Sequence, residues 1–373
     1  MVIGFDGKRA VLNHTGIGNY SRLALESVLP LLPPEATLRL YTPKVAANPR
    51  LNRLLKSQRV ELRKPDTLTG RLLGSLWRTK GLTAQLRRER PALYHGLSNE
   101  LPTGIEHSGI PTVVTIHDLI FLRHPEFYHR ADVEICRRKF EYAARVADRV
   151  IAISERTAAD LRELFGTPEE KIRVVYQGCD PMFAQPQATE VIERNRETFG
   201  RYIIGVGTIE ARKNQLLTVR ALPLLPDDVN LVLIGRQTPY AREIITEARR
   251  LNVGERVQML EGVATRDLPG LYAGALVAAY PSFYEGFGIP VLEALAAGTP
   301  VVAATGSCLE EAGGPGAFYV DPTSPEEFAE AAKRLISNQV LREETVARGR
   351  QYISRFDPEN FGRGLVDVYN ELL

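Results

Sequence analysis

Two glutamates, Glu285 and Glu293, lie eight residues apart around a Gly-Phe-Gly turn. A helix is predicted directly after the turn, over Pro290–Ala297, because proline suits a first helical turn and Gly298 suits a left-handed C-terminal position. The N–H groups at the start of this helix, with the positive end of its dipole, would attract phosphate or sugar oxygens. Glu293 would lie one turn inside the helix, where a carboxylate can accept both protons of a ribose diol. The spacing predicts a sugar-nucleotide site, and the alternative is a surface helix with two solvated glutamates.

A second candidate cluster is the adjacent pair Arg212 and Lys213, which follows an apolar segment and precedes a helical one. Two fixed cations at a strand-to-helix turn can neutralise a departing diphosphate, because they stabilise the developing charge without reorganisation. The alternative is a basic pair on a surface turn.

Two features near the N-terminus could also belong to a site. His117 ends an apolar segment, and Gly16 and Gly18 follow the first predicted strand. A hydrogen-bonded structural histidine and a tight strand-to-helix connection would explain them equally well. Asp118 fits a helix N-cap.

Short apolar segments alternate with longer amphipathic ones along the whole chain, which predicts the α/β class with parallel sheets covered by helices on both faces. The predicted strands of a first set are Val2–Phe5, Thr37–Tyr41, Ala92–His95, Thr112–Ile116, Arg149–Ile153 and Ile172–Tyr176. After a predicted linker, a second set comprises Tyr202–Val206, Asn230–Ile234, Val257–Leu260, Leu276–Tyr280 and Val301–Ala304. The linker is Asp180–Glu193, and a last helix is predicted over Pro358–Leu373.

Length and composition are those of an ordinary globular protein. A chain of 373 residues, 44% hydrophobic and 25% charged, is long enough for two domains. Three cysteines without metal-ligand spacing argue against a disulfide framework and a structural zinc, and a reducing cytoplasm fits. We expect neither a signal peptide nor a membrane span, because no run of about 20 apolar residues occurs.

The net charge of +2 hides a basic segment, Arg50–Arg90, with twelve Lys or Arg against three acids. Leu72, Leu73, Leu76 and Trp77 recur within it at helical spacing. Such a segment could contact anionic lipid or an anionic acceptor. The alternative is a helix that packs its apolar residues into its own domain and leaves a solvated basic face.

The stretch Tyr280–Gly298 resembles the signature of retaining family 4 glycosyltransferases, two glutamates separated by seven residues. The resemblance implies the GT-B fold, two doubly wound Rossmann-like domains facing across a cleft. It implies that Glu285 contacts the transferred sugar, that Glu293 binds the ribose, and that the intervening turn contacts sugar hydroxyls or the diphosphate. The residues of this turn are Gly286, Phe287 and Gly288.

The same resemblance extends to the other candidates. It implies that Arg212 and Lys213 bind the donor diphosphate beside Gly207, although relatives often have Gly-Arg where this chain has Gly207-Thr208. We expect Arg212 to supply the missing cation. It further implies that His117 lines the sugar site and stabilises an oxocarbenium-like transition state.

In the N-terminal part, the resemblance makes the segment His14–Tyr20, with Gly16 and Gly18, a glycine-rich loop close to donor or acceptor. It also divides the chain into an acceptor-side domain, 1–185, completed by a crossover helix, 356–373, and a nucleotide-sugar-binding domain, 195–355.

The segments around His117 and Lys213 are most similar to bacterial mannosyltransferases of O-antigen and other polysaccharides. GDP-mannose is therefore the expected donor, with a glycan or lipid-linked acceptor, at the inner face of the plasma membrane. A UDP-sugar donor, a sugar-nucleotide epimerase and a noncatalytic sugar-nucleotide-binding protein remain the alternatives. We expect no cofactor, metal or nucleic-acid partner, because Asp-x-Asp, His-Glu-x-x-His and P-loop motifs do not occur.

Overall fold

The computed structural model describes residues 1–13, 15–46, 48 and 51–373, apart from the side chains of Thr69 and Ser75. His14 of the glycine-rich segment and Arg50 of the basic segment lie outside the described residues. The chain divides into two compact units, Met1–Gly178 with Pro358–Leu373, and Cys179–Asp357.

The first unit is built on a parallel sheet. Its seven strands in the described residues are β1 (Val2–Asp6), β2 (Thr37–Tyr41), β3 (Val60–Arg63), β4 (Leu93–Gly96), β5 (Thr112–Ile116), β6 (Arg149–Ala152) and β7 (Ile172–Val174). They are ordered β3-β2-β1-β4-β5-β6-β7, and every neighbouring pair is parallel. All five residues of β5 are buried, as expected for a central strand that helices cover on both faces.

Helices connect these strands. They are α1 (Lys8–Leu12), α2 (Gly16–Val28), α3 (Asn52–Leu55), α4 (Leu68–Leu72), α5 (Gly74–Leu76), a π-helical turn (Trp77–Gly81), α6 (Leu82–Glu89), α7 (Ile120–Arg123), α8 (Arg130–Val146) and α9 (Glu155–Phe165). Ser154 caps α9 by accepting a hydrogen bond from the Thr157 N–H at 3.0 Å.

The second unit has its own parallel sheet. Its six strands in this part of the chain are β8 (Arg201–Val206), β9 (Val229–Ile234), β10 (Val257–Leu260), β11 (Val277–Tyr280), β12 (Val301–Ala304) and β13 (Ala317–Val320). They are ordered β10-β9-β8-β11-β12-β13, again with parallel neighbours throughout. A core of buried residues that includes Ile203, Leu231 and Phe328 joins this sheet to its helices.

The helices of the second unit are α10 (Thr189–Phe199), α11 (Gln215–Ala221), α12 (Ala241–Arg250), α13 (Leu268–Gly274), α14 (Ile289–Ala297), α15 (Leu309–Gly313), α16 (Pro325–Ser337) and α17 (Gln339–Ile353). The final helix, α18 (Pro358–Asn370), belongs to the first unit. It packs closely on α2, since a Cβ on Gly362 would meet the Ser27 carbonyl oxygen at 2.5 Å. In the same unit, the Tyr369 hydroxyl lies 2.8 Å from His95 Nδ1.

Three features differ from the pattern expected from sequence. The strands β3 and β13 were not predicted, because each is a four-residue edge strand of mostly half-buried residues and carries little apolar signal. The predicted linker Asp180–Glu193 is wrong at its end, where α10 begins at Thr189. The chain before α10 contains a 3-10 turn, Pro181–Ala184, held by Asp180, which accepts a hydrogen bond from the Met182 N–H.

Two residues of the basic segment, Trp77 and Arg78, are buried, and Trp77 follows the alternative in which the segment packs apolar residues into its own domain. Trp77 is buried, and its indole N–H donates to Gln85 Oε1 at 3.1 Å, so it is a core residue and unavailable to a membrane. Arg78 is buried as well, with Nη2 2.5 Å from Asp6 Oδ2 and Nη1 2.7 Å from Glu100 Oε2. Reversing the charge of Arg78 would leave the buried Asp6 carboxylate without its cation, so Arg78 is unsuitable for testing surface binding.

No helix in the described part of the chain is both long enough and apolar enough to cross a bilayer.

Candidate active site

The carboxyl edge of the second sheet brings three charged candidates together. The direction of winding reverses between β8 and β11, and ligands of open α/β sheets bind in the crevice at such a point. Arg212 and Lys213 lie in a 3-10 turn after β8, and Glu285 lies in the loop after β11. The fold therefore joins residues more than 70 positions apart in sequence at its expected ligand position.

The three side chains form one ion cluster. Glu285 Oε1 lies 2.5 Å from Lys213 Nζ and 3.0 Å from Arg212 Nη1. Arg212 also pairs with Glu210, Nη2 to Oε1, at 2.8 Å. Burial alone would raise the pKa of Glu285, but Lys213 and Arg212 outweigh it and lower this pKa to about 2. Glu285 is thus an anion, and it pairs with the same two cations that we expect to bind the diphosphate.

Backbone geometry fixes the Arg212–Lys213 turn. Asn214, which follows it, adopts the left-handed conformation at φ 54°. Its side-chain amide donates to the carbonyls of Pro281 and Pro322, at 3.0 and 2.8 Å. Gly207 has a φ of 147°. A Cβ added at this glycine would lie 3.7 Å from Cε of Lys213. The turn is tied to the loop after β11 and keeps its cations at the sheet edge.

The glycine loop and helix α14 agree closely with the prediction. The helix covers Ile289–Ala297, with Gly288 at φ 118° before it and Gly298 at φ 88° after it. Residues other than glycine rarely adopt these backbone angles. The buried Cys308 thiol donates to the carbonyls of Glu285 and Phe287, each at 3.0 Å, and thereby holds the loop in place.

Phe287 has a structural side chain. Its ring is 2% exposed and packs edge-on against Phe356, with centroids 5.3 Å apart. The prediction that Phe287 contacts the ligand can therefore apply only to its backbone, as for the neighbouring Gly286 and Gly288.

Glu293 lies in a different environment from Glu285. Burial raises the pKa of its carboxyl to about 7, and the Tyr272 hydroxyl donates to it at 3.5 Å. Among the described residues no cation pairs with Glu293 within ion-pair distance.

His117, Gly16 and Gly18 lie in the first unit. His117 is 5% exposed, and its Nε2 donates to the Leu97 carbonyl at 2.9 Å. Burial lowers the pKa of His117 to about 4, so the ring is neutral at pH 7 and its lone pair lies on Nδ1. The imidazole therefore has an acceptor nitrogen for a hydroxyl rather than a positive charge.

The two glycines differ sharply. A Cβ on Gly18 would lie 2.1 Å from the Asn13 carbonyl oxygen, whereas a Cβ on Gly16 would meet nothing within 4 Å. Packing of the chain alone explains Gly18, and it leaves Gly16 without a structural reason. Both precede Tyr20 in α2, whose ring lies edge-on to His117 with centroids 4.5 Å apart.

Sequence reasoning missed Tyr280 and Cys308. The Tyr280 hydroxyl accepts a hydrogen bond from Lys213 Nζ at 2.7 Å. Tyr280 reads in the sequence as the apolar end of a strand, so only the three-dimensional structure reveals this contact. No group of three or more His, Cys, Asp or Glu in the described residues could hold a metal ion.

Two sequence families match the chain in succession. The profile of Glycosyltransferase Family 4 matches residues 36–183, and that of Glycosyl transferases group 1 matches residues 187–352. The chain belongs to glycosyltransferase family 4. The second of these matches includes Arg212, Lys213, Glu285 and Glu293.

Curated relatives of this family 4 chain agree with the assignment. The O-antigen chain mannosyltransferase B of Escherichia coli is 26% identical over 77% of this chain and 76% of its own length. A D-inositol 3-phosphate glycosyltransferase of Salinispora tropica is 30% identical over 71% of this chain and 60% of its own length.

Solved structures establish the fold of this glycosyltransferase. Anabaena HepE, determined in complex with UDP and glucose, has a TM-score of 0.74 and 22% identity over 99% of both chains. WaaG, a glycosyltransferase involved in lipopolysaccharide biosynthesis, has a TM-score of 0.73 and 18% identity over 99% of both chains. The architecture is the GT-B fold, as expected from sequence.

Proposed function

We propose that this glycosyltransferase is a retaining hexosyltransferase that moves mannose from GDP-mannose to a hydroxyl of a glycan or lipid-linked acceptor. The observation that carries the proposal is the convergence of Arg212, Lys213 and Glu285 at the switch point of the second sheet. Two adjacent cations there match the charge of a nucleoside diphosphate.

The ion cluster suggests how the donor is received. The diphosphate takes the place of the Glu285 carboxylate on Lys213 and Arg212, because both anions compete for the same donors. Glu285 is then released toward the hydroxyls of the transferred sugar. As the bond to the sugar breaks, negative charge grows on the diphosphate, and the two cations stabilise it in the transition state.

The other residues complete the donor site in this proposal. Glu293 accepts hydrogen bonds from the ribose hydroxyls, and the backbone at Gly207 and at the 286–288 turn contacts the diphosphate or sugar. His117 accepts a hydroxyl of the sugar on its neutral ring, and the start of α2 at Gly16 contacts donor or acceptor. No cofactor or metal takes part in these steps.

The proposal also names the donor, and two donors have support. Mannose is supported by relatives named as mannosyltransferases, in Escherichia coli, Salmonella typhimurium and Mycolicibacterium hassiacum. A UDP-sugar donor is the second candidate, favoured by the UDP and glucose bound in the HepE structure.

A donor panel separates these functions. The purified protein is incubated with GDP-mannose, UDP-glucose and ADP-glucose, with and without a lipid-linked glycan extract. We expect radiolabel from GDP-mannose in the acceptor fraction and an intact donor when acceptor is absent. Accumulation of an epimerised sugar without acceptor would indicate an epimerase, and nucleotide binding without any turnover would indicate a noncatalytic protein.

Work on a lipid-linked acceptor would place the protein at the cytoplasmic face of the membrane. Four leucines of the basic segment are exposed, three on α4 and α5 and Leu73 between the two helices: Leu68 by 74%, Leu72 by 77%, Leu73 by 56% and Leu76 by 47%. Arg71 and Lys80 beside them are exposed as well. Apolar side chains next to exposed cations suit an anionic bilayer, where each basic residue contributes about 1 kcal/mol.

Vesicle co-sedimentation tests this placement. The protein should bind vesicles with anionic lipid, less so as salt rises, and neutral vesicles weakly. Leu72→Gln with Leu76→Gln should abolish binding, whereas Ile245→Gln with Val340→Gln, two exposed apolar residues of the second unit, should not. Equal binding by both double variants would remove the membrane role of this segment.

A further inference from the structure

We infer that Tyr280 is a positioning residue that keeps the Lys213 ammonium aligned while Glu285 exchanges its partners. The inference rests on the proposed function, because it assumes that a donor diphosphate displaces Glu285. It assigns a role to a residue outside the two-glutamate signature and the basic pair.

Tyr280 is rigidly placed. It is the last residue of β11, pairs in register with Ala303 of β12, and is 6% exposed. Its hydroxyl oxygen lies 2.7 Å from Lys213 Nζ, and the same nitrogen lies 4.8 Å from the centroid of its ring. The hydroxyl thus contacts the ammonium from a central strand, with the ring behind it.

The valence of the ammonium shows why a second partner matters. Lys213 Nζ has three N–H donors, of which one is directed to Glu285 and one to the Tyr280 hydroxyl. When Glu285 turns to the sugar, the ammonium keeps only the second of these two contacts, the one with Tyr280. The long lysine stem would otherwise lose its fixed direction at the moment when its charge is required.

Electrostatics support the same role. Burial lowers the pKa of Lys213, and Glu285 opposes that effect. The Tyr280 phenol stays neutral, since burial raises its pKa well above the usual range. A neutral hydroxyl acceptor favours the charged ammonium without competing with the diphosphate as a carboxylate would.

The test is Tyr280→Phe, which removes the hydroxyl and keeps the ring. We expect kcat for transfer to fall about tenfold, the effect of losing one hydrogen bond to a charged group, while the Kd for GDP changes less than about threefold. The alkaline limb of the kcat profile should move to lower pH, because the ammonium loses an acceptor that favours its charged form.

Tyr202→Phe is the matched control. Tyr202 is a buried tyrosine of β8, the neighbouring strand, and its hydroxyl donates to the Leu271 carbonyl at 2.5 Å. This change should lower the melting temperature without moving the alkaline limb. Replacing Tyr280 by 3,5-difluorotyrosine, which keeps the volume but weakens the acceptor, should shift the limb in the same direction as Tyr280→Phe.

The outcomes separate the inference from the proposed function. A wild-type protein that transfers sugar, with kcat and alkaline limb unchanged in Tyr280→Phe, would overturn the inference alone. Equal shifts of the limb in Tyr202→Phe would also overturn it, since the effect would then be structural. A wild-type protein that binds none of GDP, UDP and ADP would overturn the proposed function.

Discussion

Nucleotide binding should depend on pH through Glu293. Burial raises the pKa of this carboxyl to about 7, so about half of the molecules carry its proton at neutral pH. A ribose donates its hydroxyl protons to the carboxylate and therefore favours the ionised form. Binding of GDP at pH 7 should thus release about half a proton from Glu293.

The magnitude follows from the ionised fraction. With a pKa of about 7, Glu293 is about one tenth ionised at pH 6 and about nine tenths ionised at pH 8. If the ribose is held by the ionised form, GDP should bind about tenfold more tightly at pH 8 than at pH 6, about 1.4 kcal/mol.

Folding stability should show the opposite trend. Between its ordinary pKa of 4.5 and about 7, the folded protein holds the Glu293 proton that the unfolded chain has lost. The contribution of Glu293 to the free energy of unfolding is therefore fully present below pH 4.5 and is lost as pH rises through about 7. Since Glu293 is only half-buried, we expect the loss to be about 1–3 kcal/mol.

Isothermal titration calorimetry measures the proton release. GDP is titrated at pH 6, 7 and 8 in pairs of buffers with different ionisation enthalpies, into wild type and into Glu293→Gln. Subtracting the variant removes the titration of the GDP phosphates themselves. Equal proton release and equal pH dependence in the two proteins would refute the assignment of Glu293 to the ribose.

Three further changes test separate parts of the account. Lys213→Ala should lower kcat far more than it weakens donor binding, by about 10²-fold or more, since its charge is needed as the diphosphate departs; unchanged turnover would contradict this. Glu285→Gln should abolish transfer while GDP, measured by calorimetry, binds as well or better, because a competing anion is lost; weaker GDP binding would contradict the exchange of partners. Gly18→Ala should lower the unfolding free energy by about 1–3 kcal/mol through its clash with Asn13, whereas Gly16→Ala should leave the melting temperature unchanged, and equal melting temperatures would oppose the packing argument.

Much of the fold could be predicted because central parallel strands are continuous apolar segments. Thr112–Ile116 and Val301–Ala304 were predicted with their observed bounds. The edge strands Val60–Arg63 and Ala317–Val320 could not be predicted. Each has four residues, most of them half-buried, so its pattern of apolar residues is too short to recognise. A strand of this kind is recognised only when its neighbour is known.

The candidate site shows a similar limit. Spacing and turn chemistry predicted Glu285, Glu293 and the helix between Gly288 and Gly298. They could not predict that Glu285 pairs with Lys213, because that contact depends on the order of strands rather than on local sequence. Helical spacing likewise left open whether Trp77 faces a membrane or its own domain, and the structure shows it in the core with a hydrogen bond to Gln85.

The most direct test of the central claim is a crystal structure of this protein with bound GDP. We expect diphosphate oxygens within about 3 Å of Lys213 Nζ and the Arg212 guanidinium, with the Glu285 carboxylate displaced from both. Both ribose hydroxyls should lie on the Glu293 carboxylate. A nucleotide bound elsewhere, or bound with the Lys213–Glu285 pair intact and its ribose away from Glu293, would contradict it.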